Sequence, residues 1–137
     1  MGTVFAEITL VNAADHVNAA KGQLKEEETR SVTVKAIVDT GAMSLVINEE
    51  TRQKLGLGIW GKKSALMANG QRANCNETEP VVVQWGDRQT ACPAVVIPGA
   101  KVTLLGAIPL EGMDLMVDPV NQKLVGVHGE KAEFILY

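Results

Sequence analysis

Aromatic residues are scarce in this chain, only 4% of 137 residues, so any core it builds must be aliphatic. Cysteine is scarcer still: Cys75 and Cys92 are the whole supply, too few for a disulfide framework. They do not combine with His16 and His128 at metal-ligand spacing, so neither a metal site nor another cofactor is expected. An excess of positive charge is also missing. The formal net charge is −3, which argues against a nucleic-acid binder with its basic patch. No apolar run reaches the roughly 18 residues that cross a bilayer. The opening "MGTVFAEITL" lacks the basic start and long apolar stretch of a secretory signal. The expectation is a cytoplasmic protein with two free thiols, no membrane contact and no nucleic-acid partner. Internal repeats and linker-like segments are absent too, so residues 1–137 read as one domain.

What is present is a succession of strand patterns in an ordinary globular balance of 46% hydrophobic and 21% charged residues. In "TVFAEITLV", Val4, Ala6, Ile8 and Leu10 alternate with Phe5, Glu7 and Thr9, the period of a half-buried strand. Residues 12–30 are polar, with an acidic run at Glu26–Glu28, and read as a solvated excursion with room for a short helical turn. "SVTVKAIVD" then alternates again, with Val32, Val34, Ala36 and Val38 on one face. Asn48 is a good helix N-cap, Glu49 and Glu50 suit the positive helix end, Lys54 the negative end, and Gly56 or Gly58 a stop.

Two hairpins are expected beyond this helix. Asn69-Gly70 lies between "SALMA" and "QRANC", and Gly86-Asp87 between "PVVVQW" and "RQTACPAVVI"; each dipeptide predicts a two-residue turn. Pro80 and Pro93 cannot donate to a ladder and are expected at strand edges or beginnings. "KVTLLG", "DLMVD", "QKLVGV" and "EFILY" supply further strands, with a brief helical turn at "AIPLEGM". The fold class predicted is all-β, barrel-like, with one or two small helices.

One residue fits this pattern badly. Asp39 ends the apolar run "KAIVD", where a carboxylate is costly unless it is paired or hydrogen-bonded. Asp-Thr-Gly is ordinary turn chemistry by itself. Its surroundings say more. "AIVDTGAMSLVI" resembles the active-site segment of the retropepsin-like aspartic proteases, the family of the retroviral proteases: a hydrophobic strand, Asp-Thr-Gly-Ala, and a second hydrophobic strand. "TLLGAIPLEGMDLMVDPVNQKLVG" is similar to the family's later pattern of two apolar residues and Gly, a short helix, a strand, an Asp-led turn and a closing strand. Asn69-Gly70 lies between them, where the family carries its flap. All three parts occur in the family's order over roughly residues 31–127.

The resemblance implies a closed β-barrel with a flap hairpin, and a homodimeric endopeptidase that hydrolyses peptide bonds. Asp39 would activate water, Thr40 would hold the two catalytic loops together across the dimer axis, and Gly41 would let backbone approach the carboxylates. Ala42, with Ala68, Asn69 and Gly70 at the flap, would contact a peptide or protein substrate. Leu104, Leu105 and Gly106 would support the catalytic loop from behind. Only one such aspartate is encoded, since Asp114 precedes Leu-Met and Asp118 precedes Pro, so a second copy of the chain would supply the other. "GTVFAEI" and "AEFILY" are the segments expected to join the two copies. The chain departs from the family at Met43, where relatives carry a small polar residue, at Ala107, and in the long connection 12–30. Two other readings stay open at this point: a catalytically silent module of the same fold for dimerisation or peptide binding, and an unrelated β-barrel with an accidental motif.

Overall fold

A computed structural model describes residues 2–67 and 69–130. The elements in chain order are β1 (Val4–Asn12), α1 (Ala13–Ala20), β2 (Ser31–Val38), β3 (Leu45–Ile47), α2 (Glu49–Leu55) and β4 (Ile59–Leu66). They continue with β5 (Arg72–Trp85), β6 (Arg88–Val96), β7 (Leu104–Leu105), α3 (Ala107–Gly112), β8 (Leu115–Asp118) and β9 (Lys123–Gly126). A 3-10 turn at Glu26–Glu28 lies between α1 and β2.

The strands follow one another β1-β2-β7-β3-β6-β5, and β5 pairs again with β1, so the sheet returns on itself as a ring. β4 extends the sheet beyond the ring as the outer arm of a hairpin with β5, and β8 and β9 form a separate two-stranded sheet. The ring is mixed: β2–β7 and β3–β6 are parallel, while β1–β2, β1–β5, β3–β7 and β5–β6 are antiparallel.

Inside lies an aliphatic core in which Ile8, Leu10, Leu45, Ile47, Leu55, Leu57 and Leu105 are at most 1% exposed. Each such side chain contributes about 1.5–3 kcal/mol by leaving water. The expected faces hold, since Val4, Ala6, Ile8 and Leu10 of β1 and Ala36 and Val38 of β2 are all buried.

Local signals explain several element ends. The Asn48 side chain accepts from Thr51 N at 2.8 Å, and Gly56 ends α2 in the left-handed region at φ 64°. Trp85 pairs with Arg88 around Gly86-Asp87, and Gly86 has φ 59°, so the predicted two-residue turn forms.

Four expectations need correction. The described residues hold three α-helices rather than one or two. Asn69-Gly70 does not close a two-residue turn: Leu66 pairs with Arg72, Met67 N donates to Gln71 O at 2.7 Å, and Gly70 N donates to Met67 O at 2.9 Å. With Gly70 at φ 84°, this is the connection one residue longer, in which a glycine takes the left-handed position before the second strand. "QRANC" and "PVVVQW" are one continuous strand, β5, shared by both hairpins. Pro80 and Pro93 face each other within it and β6, where the register shifts between Glu77 and Pro80. Thr78 supplies the missing partner there: its hydroxyl accepts from Ala94 N at 3.1 Å and donates to Glu79 O at 2.7 Å.

The excursion 12–30 is also more ordered than its polarity suggests. Asp15 is buried on α1, and its carboxylate accepts from Arg30 Nε at 2.8 Å, Arg30 Nη2 at 3.0 Å and Arg30 N at 3.0 Å. This fork holds the Asp15 carboxyl below its ordinary value of 3.8. Asn12 joins the same corner to α2 by donating to Leu55 O at 2.8 Å. The expected strand "EFILY" lies outside the described residues. No helix among the described residues is long and apolar enough to cross a membrane.

Candidate active site

β2 delivers Asp39 to its C-terminal end beside β7. Ile37 and Val38 pair with Leu104 and Leu105, and Asp39 N donates to Leu105 O at 3.0 Å. The chain then turns at once, because Ala42 N donates back to Asp39 O at 3.1 Å. The Asp39 carboxylate caps this turn, with Oδ1 accepting from Gly41 N at 3.0 Å. A carboxylate at the end of an apolar strand is therefore satisfied by the backbone it turns, while the residue remains half-buried and reachable. Thr40 and Gly41 are exposed, and Ala42 is half-buried. A Cβ at Gly41 would sit 3.2 Å from Asp39 Oδ1, so the missing side chain keeps the carboxylate uncrowded.

β7 and the start of α3 lie behind the loop and bond its backbone. β7 runs antiparallel to β3, pairing Leu105 with Leu45 and Leu104 with Val46, and Leu105 is fully buried. α3 begins at the next residue, and its first amides reach into the loop: Ala107 N donates to Ala42 O and Ile108 N to Met43 O, each at 2.8 Å. Gly106 makes this approach feasible. A Cβ there would lie 2.7 Å from Ala42 O and 2.9 Å from the Met43 carbonyl carbon, and closer still to Ser44 O. Met43 itself is 68% exposed, and Ile108 46%.

A groove of about 560 Å³ opens beside Asp39 and Thr40, walled mainly by apolar residues including Val4, Ile37, Met116 and Val117. Its walls come from β1, β2 and the β8–β9 hairpin. Asn69 and Gly70 do not line it; they stand exposed at the tip of the β4–β5 hairpin. There Asn69 Oδ1 accepts from Gln71 N at 3.0 Å. Ala68 lies outside the described residues. The structure thus brings Asp39, Thr40, Gly41 and Ala42 together with Leu104, Leu105 and Gly106, and leaves the hairpin tip apart.

The other aspartates late in the chain have structural occupations. Asp118 accepts from Val120 N, Asn121 N and Asn121 Nδ2 in the β8–β9 turn, and the Asn121 side chain is the main reason its carboxyl titrates below the ordinary range. Asp114 is buried, 2.8 Å from His128 Nδ1 and 3.7 Å from Arg88 Nη1. Among the described residues, no group of three or more His, Cys, Asp or Glu side chains is placed to hold a metal ion.

Sequence reasoning missed Met116 and Val117 as walls of the groove, and Arg88 as a buried side chain against Asp114. Alternation in "DLMVD" marked a strand but not which wall it would build, and an arginine following a turn dipeptide gave no sign of burial.

The sequence pattern of the aspartyl protease family matches residues 20–118, well over half of the chain. No curated protein sequence matches it. With the braced Asp-Thr-Gly loop and the ring of strands that carries it, the match establishes that the chain belongs to the aspartyl protease family, in its retropepsin-like branch.

Proposed function

We propose that the chain is a homodimeric aspartic endopeptidase in which Asp39 of each of two copies activates one water molecule. The observation that carries the reading is a single reachable Asp-Thr-Gly carboxylate on a loop whose backbone is bonded on both sides. Hydrolysis of an amide needs a base for the water and an acid for the leaving nitrogen. Two carboxylates facing each other across a two-fold axis resist ionising together and share a proton, so one can serve as base and the other as acid. One chain encodes half of that pair, and an isologous contact supplies the rest.

In this reading Thr40 links the two loops across the axis and Gly41 leaves space for the scissile bond. Ala42 contacts the substrate backbone, and residues around Ala68, Asn69 and Gly70 close over the peptide and exclude water. The groove beside Asp39 supports the placement of the reacting centre on this face. The proposal extends to one domain over residues 1–137. β1 lies before the family-matched stretch, yet it pairs with both β2 and β5 and completes the ring. Two buried free cysteines support a cytoplasmic setting.

The test joins solution mass to peptide cleavage from mildly acidic to neutral pH, with Asp39→Asn as control. The expected outcome is a dimer whose cleavage rate falls at least about a thousandfold on substitution while its mass is unchanged. Cleavage that survives Asp39→Asn rejects the mechanism. A folded dimeric wild type inert toward a broad peptide library points instead to a catalytically silent module of the same fold.

A further inference from the structure

Arg88, at the start of β6, is the only Lys or Arg among the described residues that is buried, with its side chain 5% exposed. Burying a cation costs several kcal/mol unless its charge and its donors are met. Here backbone meets most of them. Nη1 donates to the carbonyls of Met113 at 3.1 Å and Asp114 at 2.8 Å, and Nη2 donates to Gly129 O at 2.6 Å. The Asp114 carboxylate lies 3.7 Å from Nη1 and is itself held by His128 Nδ1 at 2.8 Å. Gly126 makes room for the fork, since a Cβ there would collide with Nη2.

An apolar side chain of similar volume would fill this space without the desolvation cost. What only a guanidinium adds is direction, because its planar fork fixes the carbonyls it binds. Two of those carbonyls, of residues 113 and 114, immediately follow α3. α3 has six residues, too few to be stable alone, so its placement is imposed at its ends. Its N-terminal end carries the Asp39 loop through Ala107 N to Ala42 O and Ile108 N to Met43 O. Its C-terminal end is gripped by β6, with Arg88 on the carbonyls and Thr90 against Gly112, where a Cβ would strike the threonine side chain. α3 is therefore a strut between the start of β6 and the loop that presents Asp39.

We propose that Arg88 is a positioning residue for the Asp39 loop, acting through α3. The kinetic part of this inference rests on the protease reading; the structural part does not. Arg88→Met removes the donors and keeps much of the volume, and Arg88→Lys keeps the charge and loses the fork. Residue-resolved amide exchange on the full chain reads the strut directly. In Arg88→Met the Ala107 and Ile108 amides should exchange at least about tenfold faster, while the β1–β2 ladder keeps its wild-type rates. Arg88→Lys should fall between, and it carries the same comparison if Arg88→Met fails to fold. Against a peptide that the wild type cleaves, kcat should drop about tenfold to a hundredfold with KM nearly constant. Wild-type exchange at Ala107 and Ile108 overturns the proposal, as does uniform acceleration of every protected amide, which would mean a stabilising role alone. A wild type that cleaves nothing removes the protease reading and leaves the exchange measurement to decide the strut.

Discussion

The Asp39 loop and the tip of the β4–β5 hairpin are both tight turns rich in small residues, yet they are held in opposite ways. The loop is bonded to elements distant in sequence: Asp39 N to Leu105, and the Ala42 and Met43 carbonyls to the start of α3. Among the described residues, the bonds of the hairpin tip run within it: Met67 to Gln71, Gly70 to Met67, and Asn69 to Gln71. Opening the loop would break its bonds to β7 and α3, whereas the described bonds of the tip stay within the hairpin. Under the proposed reading, a fixed carboxylate and a separate, self-contained arm suit chemistry under a closing cover.

Gly106→Ala should break the rigid half of this comparison. Its methyl would meet the Ala42 carbonyl at 2.7 Å and the Ser44 carbonyl closer still, with backbone on every side. A loss of about 2–4 kcal/mol in unfolding free energy is expected, with cleavage abolished, measured by denaturant titration and peptide assay.

The corner built by Asp15 and Arg30 lies apart from both turns and serves as a control. Asp15→Asn should cost about 1 kcal/mol, an amount discounted because the Arg30 side chain is 50% exposed, and leave kcat unchanged. Because the Asp15 carboxyl is depressed below its ordinary 3.8, chiefly by the Arg30 hydrogen bonds, its contribution is complete above that value. It is lost as pH falls through the folded value, so the wild-type advantage over Asp15→Asn in thermal melts should shrink only at acid pH.

Gly70→Ala sharpens the other half of the comparison. Among the described residues nothing lies within 4 Å of the added methyl, so the penalty expected is that of the left-handed backbone, at φ 84°. About 1 kcal/mol of local hairpin stability should be lost, with an effect on KM greater than on kcat and no change in Ala107 or Ile108 amide exchange.

The smallest effect concerns the thiols. Burial pushes Cys92, in the ring, up to about 11, and raises Cys75, in the hairpin arm, in the same direction. Neither should react readily with a thiol reagent near neutral pH in the folded protein. Cys75 should label first, reporting the arm opening before the ring does.

Local chemistry made much of this legible. Asn48 and Gly56 bracket α2 because a cap and a left-handed glycine act within one turn of chain, and Gly86-Asp87 closes its hairpin for the same reason. Asn69-Gly70 misled because the dipeptide suits more than one connection, and the β4–β5 ladder running back to Ile59 fixed the register. Pro80 and Pro93 escaped prediction because a side chain elsewhere, Thr78, satisfied the ladder that they interrupt. Residues 12–30 looked merely solvated because Asp15 and Arg30 find each other only after the chain has folded back.

The amino-acid order by itself determined an aliphatic, strand-rich chain carrying one Asp-Thr-Gly at the end of an apolar strand, since alternation and composition are local properties. Tertiary structure alone decided that this aspartate sits on a loop braced by Leu105 and α3, that Gly106 must lack a side chain, and that Arg88 is buried against the far end of the same helix. Those facts depend on which backbones come within hydrogen-bond reach, and residues far apart in sequence acquire that relation only when the ring closes.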